Sequence, residues 1–241
     1  MGINKQKIIK FSSVIINYLF PKVFSNSNED FLTKGKAYFS KYISNDNDKK
    51  NDFFNSLLEI KKSIKSDLKS TFDGDPACVS IEEALLTYPG VYAIIHYRIA
   101  HKLYLLDLKL PARIICEHAH SKTGIDIHPG ATIGDHFFID HGTGVVIGET
   151  SVIGNHVRLY HGVTLGALSL EEGQAIKGMK RHPTIKDHVI IYSNSTILGG
   201  DTIVGSYSII GCNVVLTKSV GDYKKVFNKP NELVIKDKKL L

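Results

Sequence analysis

The chain has 241 residues, enough for one extended domain or two modest ones with ample core. A hydrophobic share of 43% and a charged share of 22% exclude a disordered or fibrous chain, and no apolar run nears the roughly 18 residues that span a bilayer. The net charge of +6 comes from scattered or terminal lysines with no nucleic-acid-binding motif, so it points to anionic small molecules rather than to nucleic acid. Cys78, Cys116 and Cys212 are odd in number and lack metal-ligand spacing, which fits a reducing cytosol.

Residues 1–124 read as an α-helical domain. Lys5, Lys7 and Lys10 precede the apolar stretch Phe11–Phe20, but no small-residue cleavage site follows and Pro21 ends the run, so an N-terminal helix is expected there. Gln6 stands where a myristoylation motif has Ser or Thr. Breaks are expected at Asn26-Ser27-Asn28 and over Asn45–Asn51. Between them and the next turn, Phe53, Phe54, Leu57, Leu58, Ile60, Ile64 and Leu68 recur at helical spacing. Asp73-Gly74-Asp75-Pro76 marks that turn. Helical stretches follow at Ile81–Leu86, Val91–Leu106 and Leu110–His120.

From Ile125 the period becomes six. Aliphatic residues recur at Ile127, Ile133 and Ile139, then Ile147, Ile153, Leu159 and Leu165, then Ile185, Ile191, Ile197, Ile203, Ile209 and Val215. Such hexapeptide periodicity is the signature of a β-helix, with three short strands and about eighteen residues per coil. The fold class expected is therefore α+β, a helical domain followed by a parallel β-helix over 125–220 and a C-terminal tail over 221–241. Two interruptions stand out: an eight-residue step from Ile139 to Ile147, around His141–Gly144, and a twenty-residue step from Leu165 to Ile185. The second leaves an excursion through Ser169, Glu171, Glu172, Gly173 and Lys180. Extra residues in a solenoid are lifted off one face, where binding loops sit.

At these interruptions the chain resembles the serine acetyltransferases. The matching segments are Asp75-Pro76-Ala77-Cys78, Gly124–Pro129, Asp140–Thr150 (reading DHGTGVVIGET), Gly162–Gly166 and Arg181-His182-Pro183. The resemblance implies a left-handed β-helix, although ordinary crossover sterics favour the opposite hand. It also implies transfer of acetyl from acetyl-CoA to the hydroxyl of L-serine, making O-acetylserine for cysteine synthesis, with L-cysteine as feedback inhibitor. Carried over residue by residue, His141 is the general base and Asp126 the carboxylate that orients it. Asp75, Asp140, Arg181 and His182 hold the amino acid. Gly166, Ala167, Ser193 and Lys218 lie along the coenzyme groove, which in the family runs between subunits of a trimer. A homotrimer or a dimer of trimers is implied, with no metal, no membrane, no nucleic acid and a cytoplasmic location. Family tails often end in isoleucine and bind O-acetylserine sulfhydrylase; this chain ends Lys239-Leu240-Leu241.

The chemistry has its own logic. A serine hydroxyl is a poor nucleophile at neutral pH, so attack on a thioester needs a positioned base. Arg181 offers a bidentate fork for a carboxylate, and Asp75 or Asp140 can receive an ammonium. The chain departs from the family at Gly166-Ala167, where Gly-Gly is common, and at Tyr192-Ser193, where a smaller pair is usual. Three rivals remain at this stage. The five-residue spacing of His136 and His141, repeated by His156 and His161, suits a zinc site of the γ-class carbonic anhydrases. A sugar acyltransferase would keep the solenoid without using Asp75-Pro76. A non-catalytic trimeric scaffold would leave His141 an ordinary surface histidine.

Overall fold

Short polar side chains at Asn4, Asp30, Asp46 and Ser80 each cap the start of a helix. The Asn4 side chain accepts the Lys7 N–H and opens α1 (Lys5–Leu19), and Pro21 opens α2 (Pro21–Phe24). Asp30 caps α3 (Phe31–Tyr38), which runs into a π-helical turn at Phe39–Ile43. Asp46 caps α4 (Asn47–Asn55) by accepting the N–H groups of Asp48 and Lys49, so the break expected over Asn45–Asn51 is confined to the residues just before Asn47. The helical spacing from Phe53 to Leu68 is realised in two helices that meet at Ser56, whose hydroxyl donates to Phe53 O at 2.7 Å, and α5 spans Leu57–Gly74. Then come α6 (Ile81–Thr87), α7 (Pro89–Leu105) and α8 (Lys109–Thr123). The computed structural model describes residues 3–24, 29–169, 171 and 173–229. The expected break at Asn26–Asn28, Glu172 and the Lys239–Leu241 terminus lie outside them.

The helices close on an aromatic centre. Phe11, Phe39 and Phe53 are fully buried, their ring centroids 5.5, 5.6 and 5.9 Å apart. Among the described residues no helix is long and apolar enough to cross a membrane.

The solenoid then winds in coils of three strands. The first coil holds β1 (Asp126–Ile127), β2 (Thr132–Ile133) and β3 (Phe138–Asp140). The second holds β4 (Val146–Ile147), β5 (Val152–Ile153) and β6 (Arg158–Tyr160), and the third β7 (Thr164–Gly166), β8 (Thr184–Ile185) and β9 (Ile190–Ile191). The fourth holds β10 (Thr196–Leu198), β11 (Ile203–Val204) and β12 (Ile209–Ile210), followed by β13 (Val215–Leu216) and β14 (Lys225–Val226). Stacked in parallel they make three sheets: β1-β4-β7-β10-β13, β2-β5-β8-β11 and β3-β6-β9-β12-β14. Because β14 pairs with β12, the third sheet continues into the segment expected to be tail.

Ile127, Ile133, Ile139, Ile147, Ile153, Leu159, Leu165, Ile185, Ile191 and Ile197 all point inward, as the six-residue period requires. Each contributes about 1.5–3 kcal/mol of burial. Beyond Ile197 the expectation fails. Ile203 is 39% exposed and Val215 68%, whereas Val204 and Ile210 are fully buried. One extra residue enters at the Gly199-Gly200 corner, and a one-residue shift exchanges the two faces of a strand. The pairing fixes the new register, with Val204 on Ile185 and Ile210 on Ile191.

The helical domain caps the open end of this stack. Along the strands, N–H groups of one coil donate to carbonyls of the next, as from Asp126 to Val145 and from Thr132 to Ser151. The first coil's carbonyls therefore have no coil beneath them, and unmet polar groups there would be costly. Helix α7 supplies the donors. Tyr97 Oη donates to Ala131 O at 2.6 Å, and Arg98 donates to Ile133 O at 2.6 Å and Gly134 O at 2.5 Å. His101 Nδ1 lies 2.7 Å from Pro129 O. Arg98 is itself held by Asp67 of α5, which also accepts the Phe137 N–H at 2.9 Å.

Candidate active site

The residues singled out from the sequence, Asp126 apart, fall on the two long edges of the first sheet. One edge is the corner between the third and first sheets. There the two inserted residues make a tight turn after β3: Gly142 N–H donates to Asp140 O at 2.6 Å and Val145 N–H to Gly142 O at 3.0 Å. His141 adopts φ +56° and Gly142 φ +87°, and a Cβ on Gly142 would collide with Ile125. This backbone lifts the His141 side chain clear of the wall, leaving it 74% exposed. Asp140 Oδ1 lies 3.9 Å from its Nε2. His161 stands one coil higher at the same corner, its ring centroid 5.8 Å from that of His141 and its Nδ1 buried without a partner among the described residues.

Asp75, which caps the end of α5, joins this edge. Its Oδ2 accepts the Tyr88 hydroxyl at 2.6 Å and its Oδ1 the Ala77 N–H at 2.8 Å. The Tyr88 bond, then the Ala77 N–H, holds the carboxyl below the usual range, and the charge of His141 adds to the effect. Ser193, two coils above His141, belongs to the same edge, where its carbonyl accepts the Asn213 N–H. Neighbouring Tyr192 stacks on Tyr160 with centroids 4.9 Å apart.

The other edge is the corner between the first and second sheets, from which the long excursion leaves after Gly166 and Ala167. It returns through Arg181 and His182. Arg181 Nη2 donates to Glu149 Oε2 at 2.5 Å, Glu149 Oε1 accepts the Tyr104 hydroxyl at 2.8 Å, and Arg181 Nη1 is buried with no partner among the described residues. The backbone N–H groups of Arg181 and His182 both donate to Thr150 Oγ1, at 2.9 and 3.0 Å. His182 Nδ1 accepts the Thr150 N–H at 3.1 Å, which leaves the proton on Nε2. Burial first, then Arg181 and Lys180, pushes His182 down to about 4, so it is a neutral N–H donor at neutral pH. The ring fits here because Gly148 has no side chain; a Cβ there would overlap it. A cavity of about 430 Å³ opens beside Arg181 between Leu168, Ser169 and Gly199–Thr202.

One chain thus brings Asp75, Asp140, His141 and Ser193 to one edge, and Arg181, His182, Gly166 and Ala167 to the other. Asp126 lies between them on β1, within 4.8 Å of Glu117 and His120 of α8. Among the described residues no hydrogen bond or ion pair joins it to His141. Lys218 is exposed after β13. Glu149, Thr150, Tyr88 and Tyr104 were not singled out from the sequence. Glu149-Thr150 did lie inside a quoted segment; Tyr88, with Pro89 and Gly90, reads only as the break between two helical stretches, and Tyr104 only as part of the second.

The histidines spaced by five separate. His136, His156 and His188 stack on the third corner with centroids 4.3 and 4.6 Å apart and planes within 8°, while His141 and His161 stand on another corner. Parallel rings aim their in-plane nitrogens side by side, which is not a ligand set converging on one ion.

A β-helical wall thus carries an exposed histidine beside carboxylates on one edge and a guanidinium with an open nitrogen on the other. No family model matches the chain. A plasmid serine acetyltransferase of Synechococcus elongatus is 58% identical over 146 residues, which cover 59% of this chain and 46% of that relative. The serine acetyltransferase of Bacillus subtilis is 47% identical over 178 residues, 74% of this chain and 79% of that one. Among solved structures, serine acetyltransferase isoform 3 of Entamoeba histolytica, in complex with cysteine, superposes with a TM-score of 0.84 at 34% identity. That match covers 99% of this chain and 85% of the other. The chain belongs to the serine acetyltransferase family, and its solenoid is the left-handed parallel β-helix of those enzymes.

Proposed function

We propose that this chain transfers the acetyl group of acetyl-CoA to the hydroxyl of L-serine. The observation that carries the reading is the division of complementary groups between two edges of one sheet. Carboxylates and an exposed histidine stand on one edge, and on the other a buried guanidinium nitrogen that has no partner among the described residues. A free amino acid needs both. Threefold association, in which one copy's His141 edge meets the next copy's Arg181 edge, completes three equivalent sites.

In each site Asp75 and Asp140 receive the ammonium and Arg181 Nη1 the carboxylate, with His182 Nε2–H beside it. His141 takes the proton from the serine hydroxyl as its oxygen bonds to the thioester carbon. Asp126 orients the imidazole once His141 turns over the first sheet. Collapse of the tetrahedral adduct breaks the C–S bond, and the imidazolium returns its proton to the departing thiolate. Backbone donors near Gly166 and Ala167 serve the developing oxyanion, with Ser193 and Lys218 along the coenzyme. L-cysteine carries the same ammonium and carboxylate, so it competes at the serine site; the cysteine complex of the Entamoeba relative supports this.

The test is acetyl-CoA consumption with serine, homoserine and hexosamines in parallel, with and without cysteine, alongside sedimentation of the purified chain. Serine-specific, cysteine-inhibited turnover by a trimer or a dimer of trimers is expected. Turnover only with a hexosamine would overturn the reading, and a catalytically competent monomer would overturn the shared site.

A further inference from the structure

Helix α7 spans both edges. At about 1.5 Å per residue its 17 residues reach about 25 Å, and it lies across the open end of the first coil. Tyr88 sits at its N-terminal cap and donates to Asp75 Oδ2 at 2.6 Å. Tyr104 sits in its last turn and donates to Glu149 Oε1 at 2.8 Å, while Glu149 Oε2 holds Arg181 Nη2. Between these ends the helix is anchored to the coil by Tyr97, Arg98 and His101, and a side chain at Gly90 would collide with the Ile139 carbonyl. Both hydroxyls are thus carried by one helix that is fixed to the first coil between them.

Resting on the serine-acetylating reading above, we propose that Tyr88 and Tyr104 are positioning residues that set the affinity for the amino acid. Tyr88 fixes the carboxylate that receives the ammonium. Tyr104, through Glu149, fixes the guanidinium that receives the carboxylate. With Asp75 Oδ2 engaged by the Tyr88 hydroxyl and Oδ1 by the Ala77 N–H, the carboxylate plane is fixed and the lone pairs left over face a ligand in a single orientation. Arg181 is treated alike: Glu149 occupies one end of the fork, and Nη1, without a partner among the described residues, is the end left over. The charge states agree with the geometry. Tyr88 holds the Asp75 carboxyl below its ordinary range, and although burial works the other way, Arg181 and Tyr104 keep Glu149 low as well.

The experiment compares Tyr88→Phe and Tyr104→Phe with Tyr97→Phe, which removes a hydroxyl from the same helix that only caps the solenoid. In the full-length enzyme, Tyr88→Phe and Tyr104→Phe should raise KM for serine and the inhibitory concentration of cysteine together, by about three- to thirtyfold. The kcat at saturating serine and the KM for acetyl-CoA should stay within about twofold. Tyr97→Phe should lower Tm and leave KM alone. Added to Asp75→Asn, Tyr88→Phe should have no further effect on KM, because it acts through that carboxylate. Unchanged KM in both Phe variants, or additivity with Asp75→Asn, overturns the inference while leaving the reaction standing. No serine acetylation by the wild-type chain overturns the reading itself, and this inference with it.

Discussion

The Arg98 guanidinium meets the Asp67 carboxylate at 3.0 and 3.1 Å beneath the first coil, the two side chains only 9% and 3% exposed. This pair links α5, α7 and the solenoid, since Asp67 also accepts the Phe137 N–H and Arg98 two first-coil carbonyls. Removing one partner strands a charge out of water, so Asp67→Ala and Arg98→Ala should each cost about 3–5 kcal/mol. Urea denaturation reads this directly. The double variant should be less destabilised than the sum of the two.

His141 touches solvent more than it touches the fold. His141→Ala should therefore leave the circular dichroism spectrum and Tm near wild type while kcat falls by about 10²–10⁴-fold. Wild-type turnover would remove it as the base.

Acid should loosen the chain through two buried histidines. Burial pushes His96 down to about 4, and burial followed by Arg181 and Lys180 does the same to His182, against an ordinary value near 6.5. Above pH 6.5 both are neutral whether folded or unfolded, and their contribution is complete. As pH falls from about 6.5 to about 4 only the unfolded state takes up the protons, so stability declines, by up to about 1.4 kcal/mol per pH unit per histidine. Urea midpoints across this range measure the slope. His96→Gln should flatten it, and an unchanged slope would show that His96 does not contribute.

The shifted register near the end of the solenoid makes opposite predictions for two similar residues. Ile210 is fully buried, so Ile210→Ala should cost about 2–5 kcal/mol. Ile203 points outward, and Ile203→Ala should cost less than about 1 kcal/mol. Comparable losses at both positions would restore the uninterrupted six-residue register.

The six-residue beat was legible because each strand places one side chain in a narrow core, where only an aliphatic residue fits. The same locality exposed the faults at His141–Gly144 and beyond Leu165, and it set the helical spacing upstream. It could not show the slip at Gly199-Gly200. In Ile203-Val204, Ile209-Ile210 and Val215-Leu216 both neighbours are aliphatic, and only stacking on Ile185 and Ile191 decides which turns inward.

His141, Asp140, Arg181 and His182 were readable as residue types beside the faults of the repeat. Their division between two edges was not. Thr150 meets His182 across thirty-two positions, and Tyr104 meets Glu149 across forty-five. Such partners are chosen by the stacking of coils and the angle at which α7 caps them. By itself the sequence determined the wall and the chemical groups mounted on it, because those depend on local spacing. Only the tertiary structure decided which edge each group occupies and which tyrosine holds it, because those depend on contacts between segments far apart along the chain.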